Sequence, residues 1–191
     1  GISLSTSFFL TVVAWMAADA LVVLLCLIFF LSTLGLFLLN FPWGKIFLGD
    51  GGAYFQGHCL SWIAILLLSR NSDITAWAIM LIFFWPVADT GLAIWRRWKL
   101  GNPTDRPDRL HFHQLAMRFL EIRFFGRDRR NMANPSATVI LAPLISMPQV
   151  FGVLLWNDFS ATLWSTLGMA FLFVSTYVMG INLAKKARFI N

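Results

Sequence analysis

The chain has little charge. Asp, Glu, Lys and Arg make up only 13% of its 191 residues, about half the share of a soluble domain. That shortage excludes an ordinary water-facing surface. Cysteine is also scarce: Cys26 and Cys59 both sit in apolar surroundings. They form neither a disulfide framework nor a zinc spacing, and both read as small core hydrophobes. Acidic residues number nine, and no two of them are adjacent. The glycine cluster at 49–52 lacks a following Lys-Ser/Thr, which excludes a P-loop. No internal repeat or low-complexity tract is present.

What the chain has in excess is apolar surface. Hydrophobic residues make up 58%, with nineteen Phe and nine Trp, and the mean hydropathy is +0.70. A soluble domain so composed would expose large apolar patches and aggregate. Aromatics in this number suit membrane interiors and interfaces. The formal charge of +6 comes from basic residues that punctuate apolar runs rather than lying among exposed aromatics. The implied partner is membrane lipid, with no nucleic acid. The opening GISLS fits a loose myristoylation pattern, but the apolar run that follows makes an anchor redundant. A start at Gly1 suggests truncation or processing.

The fold class expected is all-α: a polytopic membrane protein of about six transmembrane helices, with a cytoplasmic loop carrying an amphipathic helix. Residues 7–39 are almost continuously apolar, broken only by Asp19. As one helix they would extend roughly 50 Å, too long for a ~30 Å hydrocarbon core. A turn around 18–20 resolves this, giving spans at 2–17 and 20–39. A glycine-rich loop at 40–52 leads to a third span at 53–69. SDIT at 72–75 offers a cap for a fourth at 76–95, which Pro86 should kink or locally break. Asn134 and Pro135 suit the start of a fifth span at 135–156, and NDFS turns the chain into a sixth at 161–183. The whole chain, 1–191, reads as one transmembrane domain.

Between the fourth and fifth spans, residues 96–133 form the one long polar segment. His111, Gln114, Arg118 and Glu121 recur at helical spacing, and Phe112, Leu115, Phe119 and Ile122 follow one residue later. That pattern predicts an amphipathic helix along the membrane surface. With six spans, the loops 40–52 and 96–133 and the C-terminal tail share one side. They hold every basic residue except Arg70, which makes that side cytoplasmic.

The same side collects the groups that can carry chemistry. Asp50, beside glycines and a helix start, can cap the helix or ligate a cation, and spacing leaves both open. Lys45 reads first as a snorkelling lysine. Asp89 is an ionisable residue inside a span and so a functional candidate, unless it pairs with Arg96 or Arg97. His111 and His113 stand two apart, so a helix would point them to opposite faces and they would not share a metal. With Arg106 and Arg109 they can instead hold a diphosphate, since guanidinium forks match phosphate oxygens. An ordinary positive-inside loop is the plainer alternative.

Two blocks carry a resemblance. NFPWGKIFLGDGGAYFQG, residues 40–57, resembles the motif around an aspartate of the polyprenyl-phosphate N-acetylhexosamine-1-phosphate transferases. PVADTGLAIWRRWKLGNPTDRPDRLHFHQL, residues 86–115, is similar to that family's stretch ending in a His-rich motif. The blocks stand in family order with spans between them. The resemblance implies transfer of sugar-1-phosphate from a UDP-N-acetylhexosamine to polyprenyl (undecaprenyl) phosphate, at a bacterial inner membrane, with UMP released. It makes Asp50 the catalytic magnesium (Mg2+) ligand and sets Phe47 near the uracil. His111, His113, Arg106 and Arg109 would hold the diphosphate, with Lys45 and Asp89 as weaker carry-overs. A homodimer is left open, as are the sugar and the polyprenyl length. Gly57, His58 and residues 126–133 are candidates for sugar selectivity.

Two departures qualify the match. Gln114 stands where the family's motif usually ends in a histidine, and it cannot carry positive charge. The family's acidic DDxxD and Asn/Asp-Gly motifs are not in this sequence, so the chain is expected to be a C-terminal portion, inactive alone. Two alternatives remain: a non-catalytic remnant of such an enzyme, and a small transporter using Asp89 and the Pro86 kink. Polar groups gathered at one membrane face, rather than the midplane, disfavour the transporter.

Overall fold

The computed structural model describes residues 1–42, 44–99, 112–121, 124, 126 and 130–188; for 130, 131, 134 and 181–188 only the backbone is described. Among the described residues the regular structure is helical, with no strand. The helices are α1 (Ile2–Met16), α2 (Ala20–Asn40), α3 (Gly49–Arg70), α4 (Ala76–Ile82), α5 (Phe84–Lys99), α6 (Phe112–Leu120), α7 (Arg130–Leu154) and α8 (Phe159–Arg188). Four stretches are long and apolar enough to cross a membrane: Ala20–Asn40, Gly49–Arg70, Pro135–Leu154 and Phe159–Gly180. The α4–α5 pair passes the same test only as a broken span or re-entrant loop, and α1 is a shorter apolar helix. The chain is a multi-pass helical membrane protein. On α2, Leu24, Ile28, Leu31 and Leu38 are each more than half exposed, an arrangement that lipid tolerates and water does not.

The chain forms two compact units, one of residues 1–84 with 145–166 and the other of 85–144 with 167–191. In the first, α1 and α2 pair across the turn expected at 18–20. Ala18 takes a left-handed φ of 55°, and the Asp19 carboxylate accepts the Val22 N–H at 3.3 Å as the cap of α2. Leu10, Val13, Val22, Cys26 and Leu67 are fully buried together, so Cys26 is a core hydrophobe as expected. Thr75 caps α4 through its hydroxyl, which accepts the Ala78 N–H at 3.1 Å. The Asp158 carboxylate caps α8, accepting the Ala161 N–H at 2.9 Å.

Three boundaries differ from the expected ones. The helix expected at 76–95, with Pro86 marking a kink or local break, is broken at Phe83, one turn before the proline, because the proline's missing N–H acts on that turn. Residues 49–52 are the first turn of α3 and not loop, a conformation glycine permits although it does not favour it. The helix expected to start at Asn134–Pro135 starts at Arg130, which leaves Pro135 inside it.

The second unit is built on aromatic rings. Trp85 meets Phe112 at 5.2 Å between centroids and Phe173 at 5.3 Å, both edge-on. Phe112 also lies 5.6 Å from Phe173 and 6.4 Å from Tyr177. Helix α6 falls within the segment expected to be an amphipathic helix, but Phe119 of the expected apolar stripe is exposed and Leu120, on neither stripe, is buried.

Candidate functional site

The first unit carries the Asp50 motif at the start of α3. Gly44 and Gly49 have φ of +62° and +67°, the left-handed region that only glycine enters freely. They let the chain fold back between α2 and α3, and the Asn40 side-chain amide braces the bend by donating to the Ile46 carbonyl at 2.7 Å. Phe47 projects from it, 82% exposed. Leu48 precedes the helix without a side-chain cap bond, and Asp50 lies in the first turn. Asp50 is therefore not the cap residue, and of its two sequence readings the cap loses its geometric basis. Its exposed carboxylate shares the helix start with backbone N–H groups that have no intrahelical acceptor. Lys45 is exposed on the same bend.

Gly52 has a packing role. A Cβ there would meet the Leu48 side chain at 2.6 Å, so glycine lets the bend lie against α3. At Gly51 nothing lies within 4 Å of where a Cβ would stand, which leaves the Asp50 side of the turn open.

The second unit holds the other motif. The half-buried Asp89 of α5 accepts the backbone N–H of Phe112 at 3.2 Å. Asp89 is thereby brought to the first residue of α6, directly before His113. Arg106, Arg109 and His111 lie outside the described residues. Nearby on α5, Arg96 donates to the Tyr177 hydroxyl and sits 5.8 Å from the ring centroid. Among the described residues no group of three or more His, Cys, Asp and Glu side chains is placed to hold a metal. Asp50 offers an exposed carboxylate in the first turn of α3.

Several participants were not singled out from sequence. Gln149, fully buried, donates to the Ile82 carbonyl at 3.1 Å and to the Thr6 hydroxyl at 3.3 Å, and accepts from Ser5. A lone amide in an apolar run was the available signal. Tyr177, which accepts from Arg96, gave none. At the end of the first unit that holds Asp19, Arg70 donates to its carboxylate at 2.7 and 3.3 Å, and Asn71 at 3.1 Å. The guanidinium hydrogen bond holds Asp19 down, to about 2.

A helical membrane protein with an open carboxylate at a glycine-rich helix start defines the class. Residues 1–68 match the model of glycosyl transferase family 4, so the resemblance read from the motifs is borne out over that stretch. A probable undecaprenyl-phosphate N-acetylglucosaminyl 1-phosphate transferase of Bacillus subtilis is 31% identical over 174 residues, covering 91% of this chain and 44% of that protein. An undecaprenyl-phosphate alpha-N-acetylglucosaminyl 1-phosphate transferase of Pasteurella multocida is 36% identical over 87 residues, covering 42% of this chain and 24% of that protein. The protein of the same name from Haemophilus influenzae gives the same identity and coverage. The chain thus spans less than half the length of these curated relatives. No solved structure matches it.

Proposed function

We propose that this chain is part of a transferase that moves N-acetylhexosamine-1-phosphate from a UDP-sugar to polyprenyl phosphate. The observation that carries the reading is Asp50, exposed in the first turn of α3 within the stretch that matches the family. The names of the relatives support the acceptor and the transferred group. An oxygen of polyprenyl phosphate attacks the sugar-bearing phosphorus of the donor. The bond from that phosphorus to the bridging oxygen breaks, and UMP leaves with the electron pair.

Asp50 fits a divalent cation of the magnesium kind, which takes one or two carboxylates and fills its shell with water and substrate phosphates. When bound, magnesium would neutralise the diphosphate and polarise the phosphoryl group. This chain's residues bind and orient. Phe47 offers an exposed ring for the uracil, and Arg106, Arg109, His111 and His113 hold the diphosphate with help from Lys45.

The reading includes about six spans in a bacterial inner membrane, with the motif loops in the cytoplasm. Support comes from the first unit. Asp19 binds Arg70 and Asn71, and the Thr75 N–H donates to the Trp156 carbonyl at 2.9 Å. Three connections are thereby joined at one end, the three that six spans would put opposite the cytoplasm. A homodimer is compatible with this arrangement.

The test is transfer itself. The protein, purified with any upstream sequence of its reading frame, is given polyprenyl phosphate, magnesium and a panel of radiolabelled UDP-sugars. Label entering the lipid phase with stoichiometric UMP supports the proposal. Absence of transfer from every donor overturns it.

A further inference from the structure

The half-buried carboxylate of Asp89 faces the backbone of α6. Its Oδ1 accepts the Phe112 N–H at 3.2 Å, one of the donors that a helix start leaves without an internal acceptor. Such a bond is charge-assisted and directional. The Phe112 side chain is fixed separately, between Trp85, Phe173 and Tyr177. Backbone and ring of one residue are therefore both held, and that residue stands between His111 and His113.

We propose that Asp89 is a positioning residue: it anchors the start of α6 and so sets His113, which follows Phe112 in that helix's first turn. The proposal rests on the transferase reading for what His113 holds, a nucleoside diphosphate. Asp89 acts through the α6 backbone and not on the diphosphate, whose own negative charge a second carboxylate would repel. The aromatic contacts limit sliding of Phe112, and the carboxylate limits rotation of the turn. Together they tie the start of α6 to α5.

Asn at position 89 keeps an oxygen that can accept the same N–H but removes the charge, whereas Ala removes the acceptor. Asp89→Ala should raise KM for the UDP-sugar roughly tenfold with a smaller change in kcat. Asp89→Asn should return KM to within about threefold of wild type. Amide exchange over 112–120, followed by mass spectrometry, reads the anchor without activity: it should quicken in Asp89→Ala and stay near wild type in Asp89→Asn. Equal damage to KM by both substitutions, with exchange unchanged, would mean that charge acts on the ligand and overturns the proposal. So would Asp89→Ala leaving both readouts at wild type. A wild-type protein that transfers nothing fails the transferase reading itself. The exchange arm then decides the anchor alone.

Discussion

The side-chain amide of Gln149 donates to the carbonyl of Ile82 at 3.1 Å. In an unbroken helix that carbonyl would accept from residue 86, and residue 86 is proline, which has no N–H. The helix ends at Ile82 and resumes at Phe84, and a glutamine from α7 supplies the missing donor. Ser5 and Thr6 of α1 occupy the rest of the amide. Replacing Gln149 by Leu keeps much of the volume and leaves the Ile82 carbonyl unpaired in an apolar interior. The expected loss is about 1–2 kcal/mol, since hydrogen bonds between membrane helices are each worth roughly 0.5–2. Thermal or denaturant unfolding in detergent measures it, and a Thr6→Ala/Gln149→Leu double-mutant cycle isolates the shared bond. An unchanged midpoint for Gln149→Leu would remove the amide from the account of the break.

The same contact depends on a glycine. At Gly152, a Cβ would lie 2.8 Å from the Ala78 carbonyl oxygen and 3.2 Å from the Leu81 Cβ. Backbone cannot yield cheaply, so Gly152→Ala should destabilise by about 1–3 kcal/mol despite the better helix propensity of alanine. Gly168→Ala is the control, because nothing lies within 4 Å of that position. It should be neutral or slightly stabilising. Equal effects of the two substitutions on the unfolding midpoint would refute the close approach.

Asp19 predicts an acid-sensitive step outside the spans. The Arg70 hydrogen bond sets its carboxyl at about 2, below the ordinary value of about 3.9. A depressed carboxyl stabilises the fold fully above its unfolded value and loses that contribution as pH falls through the folded one. Wild type should therefore lose stability between about pH 4 and pH 2, a window in which Asp19→Asn shows a flatter profile. Unfolding midpoints across that range, at matched detergent and salt, check it. Superimposable profiles would detach the ion pair from stability.

Sidedness can be measured directly. Single cysteines at 50 and 113 should label from the cytoplasm, and those at 70 and 158 from the opposite side, after Cys26 and Cys59 are replaced. The basic residues motivate this, because six spans would put all of them except Arg70 on the first side. Positions 113 and 158 labelling from one side would break the six-span arrangement.

Much of the helical organisation was legible because it follows from one-dimensional physics. The apolar run at 7–39 exceeds a bilayer's thickness and contains Asp19, so a turn there was required, and Ala18 and Asp19 make it. Thr75 and Asp158 cap where short polar side chains before apolar runs should. A kink or break near Pro86 was legible, because the proline cannot bond the carbonyl one turn back. That Gln149 supplies the missing donor was not, because it lies more than sixty residues away. Helix α3 reaches back to Gly49 because the bend made by Gly44 and Gly49 presents it early, against glycine's weak propensity. The site was legible as residue types within two motifs. Sequence spacing did not show that Asp89 meets the backbone of α6, since that contact is tertiary.

Asp50 gives the test that reaches furthest into chemistry. As a cap it would be replaceable by Asn, which caps about as well as Asp. In the structure it stands in the first turn of α3, after Leu48, where no side chain makes a cap bond. A structural role then predicts little effect of Asp50→Asn on stability, and the same holds if Asp50 is a metal ligand, because it is exposed. Turnover separates the two. Asn keeps the shape but withdraws the negative charge a magnesium ion needs, so the transferring phosphoryl group loses its counter-charge. The expected cost is roughly 3–4 kcal/mol in the barrier, or about 10²- to 10³-fold in rate. Measured at limiting magnesium, with unfolding midpoint and expression matched to wild type, Asp50→Asn should retain no more than about one per cent of turnover. Retention of more than about a third would return Asp50 to the helix start alone and leave the metal to other residues.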